Sequence, residues 1–308
     1  MKSYYVFGLL LLLLFSPLVF AQENASIENQ VQAPEVQVGL YLLNLGKFDV
    51  ATGSYTADFY LSLTCAEECS PNFEFMNGRA ASIEKITDEP TEKFYRIQAN
   101  LNNQVDLKKF PFDSQQLQIV IEDKEKTIEE LVFIANKEQS GIDDSISFTG
   151  WKLSGWDAAV RNHRYSIYDE TFSQYVYSIT IERIAWNSFL KTFLPVIFIV
   201  LIVLFSFVLD PDKVATRLAM AGSSLVASVM FHISITNQIP PVGYLTFADK
   251  FMALTYLVLL SSFMINIAIL EMQERKKTEL VEKIHRRTEF GMFIVVPLLY
   301  LVLFWIGF

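Results

Sequence analysis

Six residues recur along one stripe of an otherwise apolar segment: Ala219, Ser223, Val226, Met230, Ile233 and Asn237, spaced by four, three, four, three and four. On a helix that spacing is a single face. Its chemistry grades from small and hydroxylic, through bulky and apolar, to an amide. Repeated about an axis, such a face would give a hydroxyl-lined inner mouth and an apolar constriction able to close by dewetting. Taken alone, it is equally a helix whose serines bond their own carbonyls while its apolar face packs in a bundle. Asp210 and Asp212 precede the stripe, and their repetition about the same axis would form acidic rings that favour cations. Covalent chemistry has little support. There is no nucleophile elbow, phosphate loop or metal-ligand spacing, and the whole chain holds three histidines, so the sequence reads as a non-enzyme that requires no cofactor. Cys65 and Cys69 stand four residues apart and suit a small loop-closing disulfide in an oxidising compartment. Asp143 and Asp144, with Glu138 near, are candidate calcium ligands, although an acidic loop of this kind is more often simply solvated.

The elements that would position these residues fall into two parts. Of the 308 residues 52% are hydrophobic, too many for an ordinary soluble protein, yet 34 acidic and 25 basic residues exclude a purely intramembrane one. Residues 1–21 read as a signal peptide: Lys2, an apolar run from Phe7 to Phe20, and small residues around Ala21. Residues 22–187 then form an exported domain with 26 acidic and 14 basic side chains, a net charge of 14 − 26 = −12. That balance disfavours nucleic acid as a partner and gathers cations. Strand-like segments are expected at Val36–Leu45, Tyr55–Thr64, Phe94–Leu101, Gln116–Ile121, Leu131–Ile134, Trp151–Val160 and Tyr175–Ile184. Between them lie turn signals such as Asn77-Gly78 and Asp88-Glu89-Pro90. Many short strands without an intervening helical pattern predict a β-sandwich.

Residues 188–308 change character. Four helices are expected at about 188–209, 213–237, 249–270 and 288–308, three of them apolar enough to cross a bilayer on their own. The second carries Arg217, Ser223, Ser224, Ser228, His232 and Ser234 and must hide them from lipid, against protein or water. With the first domain exported, the linker 271–287 lies in the cytoplasm. It carries six Lys and Arg residues, as the positive-inside rule requires. The signal peptide and this charge bias agree on a multi-pass protein of a bacterial inner membrane with a periplasmic N-terminal domain.

The string Phe110-Pro111-Phe112-Asp113-Ser114-Gln115 closely resembles the signature loop of Cys-loop receptors, the pentameric ligand-gated ion channels. Animal members enclose that loop between two cysteines. Asn103 and Leu117 stand at those positions here, which fits the prokaryotic branch. Phe148-Thr149-Gly150-Trp151, Arg183, Pro195, Arg217 and Pro240-Pro241 follow in the family's order, so the resemblance spans roughly residues 35–308. The tryptophan-x-proline element of the family's first ligand-binding loop is missing.

The resemblance implies an extracytoplasmic all-β immunoglobulin-like sandwich joined to a four-helix transmembrane domain. It also implies a symmetric homopentamer, embedded in lipid, with the second helix lining a pore that opens when a small molecule, proton or divalent ion acts on the sandwich; with Asp210 and Asp212 at its mouth, that pore is expected to conduct cations. It implies that Asp49 and Asp113 both approach Arg183, with Phe112 packing near Pro240 and Pro241, as the link between domains. For the ligand it implies Tyr165, Tyr168, Phe172 and Tyr175 around a capping hairpin over Ile167–Gln174. Tyr60 and Arg96 would face them from a neighbouring subunit. The rival expectation is a membrane-anchored periplasmic sensor or assembly subunit that conducts nothing.

Overall fold

Alternation of inward apolar and outward polar residues builds ten strands: β1 Glu35–Leu45, β2 Ser54–Cys65, β3 Phe73–Phe75, β4 Gly78–Asp88, β5 Glu92–Asn102, β6 Ser114–Asp123, β7 Val132–Ala135, β8 Gly141–Ile142, β9 Trp151–Tyr165 and β10 Glu170–Arg183. A computed structural model describes residues 33–68 and 71–307. The expected signal peptide and Cys69 lie outside them. Cys65, closing β2, is disulfide-bonded.

One sheet runs β4-β5-β2-β1-β7, with β8 also on β1; the other runs β3-β6-β10-β9. In β2, Tyr55, Ala57, Phe59, Leu61 and Leu63 point inward, and in β5 Tyr95, Ile97, Ala99 and Leu101 do the same. They meet Leu117, Ile119 and Ile121 of β6 and Tyr175, Tyr177, Ile179 and Ile181 of β10 in one core between the sheets. Each fully buried large apolar side chain in it contributes about 1.5–3 kcal/mol.

The strands depart from expectation in two ways: β3, β4 and β8 are additional, and β9 and β10 are longer. β4 touches the core only through half-buried Ala80: Ile83 and Ile86 are exposed with Glu84 and Lys85 between them, so period-two hydrophobicity never develops. It is held at the sheet edge by its ladder to β5. β9 and β10 continue past the expected ends to a tight turn over 166–169, where Asp169 takes a left-handed φ of 56°. Residues 170–174 are therefore strand and not loop.

The membrane part holds α1 Ala185–Ser206, α2 Val214–Thr236, α3 Phe247–Glu274 and α4 Thr278–Gly307. Each is long and apolar enough to span a bilayer. The chain is a multi-pass membrane protein with an N-terminal extracellular domain. The expected linker 271–287 is mostly helix: α3 and α4 absorb all but residues 275–277. Lys283, Arg286 and Arg287 thus ride on the first turns of α4. Phe193, Val196, Val200, Phe251, Met252, Val258 and Val296 form the bundle core. Only Val281 and Val296 of α4 are buried, and Phe290, Leu298, Leu301 and Trp305 point outward, the surface a lipid-facing helix presents.

Candidate functional site

Where the two domains join, the loop from β5 to β6 is bonded into the membrane bundle. The N–H groups of Phe247 and Ala248, in the first turn of α3, donate to the carbonyls of Lys108 (2.9 Å) and Phe110 (3.0 Å). Helix starts leave such donors unsatisfied, and here the extracellular loop supplies acceptors. Thr246 and Asp249 complete the helix start with a capping box. The Leu107 N–H donates to the Tyr244 hydroxyl at 2.9 Å. Phe112 stacks on Phe193 of α1 (5.8 Å between ring centres) and lies against Phe247 (6.1 Å). The expected packing near Pro240 and Pro241 is therefore displaced: the loop after α2 meets this core through Ile239, Val242 and Tyr244, while Pro241 is exposed.

Arg183, the last residue of β10, is clamped from three sides. Its Nε and Nη2 donate to Asp113 Oδ1 (2.8 Å) and Oδ2 (3.3 Å). Its guanidinium lies over Trp151 (4.3 Å) and Phe110 (5.2 Å). Asp113, 2% exposed, also accepts from Gln115 Nε2 at 2.7 Å. Asp49 does not join them. It is exposed, and its carboxylate caps its own turn by accepting from the Ala51 N–H at 2.9 Å. The turn after β1 reaches the membrane core through Val50 instead.

Asn103, at one position of the absent disulfide, replaces the bridge with polar bonds. Its Oδ1 accepts from Tyr55 Oη (3.0 Å), Asn77 Nδ2 (3.2 Å) and the Gln118 N–H (3.0 Å), tying the loop's two ends together. The Asn103 N–H donates to the Gly53 carbonyl at 2.9 Å, fastening the β1–β2 turn to the same point. Gly53 has φ +72°, and a Cβ there would strike the Asn103 carbonyl oxygen.

On α2 two opposite faces emerge. Arg217, Ala221, Ser224, Ser228 and Ile235 are buried against the other helices. Ala219, Ser223, Val226, Met230, Ile233 and Asn237 are all exposed in the isolated subunit, Val226 and Met230 at 65% each. The Ser223 hydroxyl bonds the Met220 carbonyl (3.1 Å), leaving the oxygen lone pairs outward. Thr216, exposed one turn below Ala219, extends the stripe toward Asp212. The continued three-to-four spacing could have revealed it. Asp210 and Asp212 are exposed in the turn before α2, and α3 grips that turn through Gln273 Nε2, which donates to the Pro211 carbonyl at 2.8 Å. Near its outer end α2 is tied to α3: His232 Nδ1 lies 2.9 Å from Tyr256 Oη and Nε2 lies 3.2 Å from Asp249 Oδ1.

Around the β9–β10 hairpin the expected ligand residues separate. Tyr175 is fully buried in the sandwich core and cannot meet a ligand at the hairpin; burial pushes its phenol up to about 12. Phe172, 7% exposed, packs edge-on under Tyr165. Tyr168 stands exposed at the turn. Tyr60 stacks on Phe94 (5.2 Å), and Arg96, opposite it across β2 and β5, is held by Asp58 (2.9 Å) on the outer face. That bond raises the guanidinium's pKa and leaves it already neutralised. Asp143 is bonded by the Ser145 hydroxyl and N–H, which hold its carboxyl below the usual range. Asp144 adds no bond to it, and among the described residues no three acidic, His or Cys side chains converge on a cation site.

A cluster unexpected from sequence lies beneath the hairpin. Glu122, in β6 and 2% exposed, is bonded at 2.9 Å each by His163 Nδ1, Tyr165 Oη and Gln174 Nε2. Burial and the Glu122 carboxylate push the Tyr165 phenol up to about 12. A paired acid in Glu122-Asp123 at the end of an apolar strand was the available signal.

The geometry is thus a sandwich whose β5–β6 loop is hydrogen-bonded to a four-helix span, with one helix exposing a polar-to-apolar stripe. Residues 192–291 match the neurotransmitter-gated ion-channel transmembrane region. The chain is also 23% identical over 275 residues to a proton-gated ion channel of Gloeobacter violaceus, covering 80% of this chain and 76% of that relative. Both similarities, one to a channel transmembrane region and one to a prokaryotic proton-gated channel, point the same way as the loop string Phe110–Gln115.

Proposed function

We propose that five copies of this chain form a cation-conducting channel opened by protons acting on the extracellular domain. The observation that carries the gating part is the Glu122 cluster: a nearly inaccessible carboxylate whose partners include an imidazole with 38% of its side chain exposed. Histidine is the side chain whose charge ordinarily changes in the physiological range. Protonated, His163 would hold Glu122 by a charge-assisted bond, drawing β9 and the hairpin toward β6. Gln174, opposite Glu122 in the β6–β10 ladder, transmits the shift along β10 to Arg183 and the Asp113 clamp. The other groups near the pair are Tyr165, Glu74, which acts on Tyr165, and Arg161, bonded to Gln174 at 2.6 Å. The similar Gloeobacter violaceus protein is a proton-gated ion channel, which supports the same reading.

Cation selectivity is favoured by exposed Asp210 and Asp212 at the inner end of α2, by Arg217 turning away from the stripe, and by the acidic extracellular domain. Ala219, Ser223, Val226, Met230, Ile233 and Asn237 would line the pore, with Val226, Met230 and Ile233 as its dry constriction. The test is voltage clamp of cells or liposomes bearing the full chain. Acidification of the extracellular side should evoke current whose reversal potential follows sodium, and His163→Gln with Glu122→Gln should shift half-activation. Absence of acid-evoked current from surface-expressed wild type rejects proton gating; reversal that follows chloride rejects cation selectivity.

A further inference from the structure

Polar atoms inside a membrane bundle are costly unless bonded. Five such atoms in this bundle have neither solvent access nor a hydrogen-bond partner among the described residues: Arg217 Nε and Nη2, Ser262 Oγ, and Asn266 Oδ1 and Nδ2. All three residues are 0% exposed.

They share one depth. Val214 and Leu218 of α2 cluster with Ile265 and Ile269 of α3, and a Cβ on Gly222 would sit 3.9 Å from the Phe263 ring. This antiparallel pairing sets the turn bearing Arg217 beside the α3 turns of Ser262 and Asn266, which lie four residues apart on one helix face. Around the guanidinium, the Phe207 ring lies at 5.0 Å and His285 Nδ1 is 3.3 Å from Nη1. Because the five atoms are already enclosed within a single subunit, no neighbouring subunit can supply their bonds. The missing partner is small and internal. A molecule that both donates and accepts suits Asn266, whose carbonyl and amide are both unmet. Buried water makes about three bonds to groups of this kind.

We infer that the inner half of each subunit's bundle encloses ordered water that bridges Arg217, Ser262 and Asn266, with half-buried His285 at its cytoplasmic side. This water solvates a fixed positive charge behind α2, on the face away from the exposed stripe. The inference is independent of what opens the channel.

The test is a map of the full-length channel in lipid nanodiscs, at a resolution where ordered water is visible, combined with a double-mutant cycle. Wild type should show discrete density between Arg217 and Asn266, and Asn266→Leu should lose it. Asn266→Leu should also lower the thermal midpoint of the assembled channel by stranding Arg217, and Arg217→Met in the same chain should recover most of that loss. Direct pairing of Arg217 with Asn266, or a dry gap between them, overturns the inference; so do losses that simply add in the double variant. Should Asn266→Leu not assemble, Ser262→Ala in the same map should remove or shift the density, and an unchanged map would count against it.

Discussion

Replacing Asp113 by Asn is the sharpest probe of the link between the domains. The side chain keeps its shape, but Arg183 loses its counter-ion and in either flip the new amide meets a guanidinium N–H, donor against donor, with Gln115 Nε2 as a second clash at the Oδ2 position. Removing one partner of a buried pair costs roughly 3–5 kcal/mol. The lower end applies here, because 19% of the Arg183 side chain meets water and the Trp151 and Phe110 rings still face it. If the clamp is remade during gating, about 3 kcal/mol per subunit falls unevenly on the closed and open states. A full imbalance would move half-activation by about a hundredfold in ligand concentration, at 1.4 kcal/mol per decade. Voltage clamp with parallel measurement of surface expression reads this directly. A variant that assembles less stably yet opens at the wild-type concentration would show that Asp113 only holds the fold, and the coupling argument would fail.

Other outcomes follow from the same geometry. Met230→Ser or Ile233→Ser should wet the constriction and give a standing current at neutral pH, measured as leak before any stimulus. Asn103→Ala should remove three accepted bonds at the loop's ends, at about 1 kcal/mol each when solvent replaces them, and lower the thermal midpoint of the channel. Tyr244→Phe deletes a single bond to Leu107 and should cost about 1 kcal/mol, visible as weakened gating with normal assembly.

The fold was legible where burial imposes a period. β2 and β5 alternate, and three of the four spans announce themselves by length and apolarity, the second by its helical spacing. β4 escaped because both its faces are largely wet, and the expected cytoplasmic linker proved helical because Lys, Glu and Arg suit helix as well as loop. The stripe on α2 could be read because helical spacing is rigid. The ligand face was read poorly: in a strand hairpin, Tyr165, Tyr168, Phe172 and Tyr175 look alike in sequence, yet one is core, one is packing, one is exposed and one bonds Glu122. Asp49 was misassigned because a turn carboxylate can satisfy its own backbone without any distant partner. Contacts such as Tyr244 to Leu107 join residues 137 apart, and no local pattern encodes them.

The start of α3 borrows two carbonyl acceptors from the Phe-Pro-Phe-Asp loop. A membrane half expressed without its sandwich would therefore begin that helix with bare amides at the lipid headgroups and fray there. The receptor surface thus supplies part of the template for the bundle beneath it.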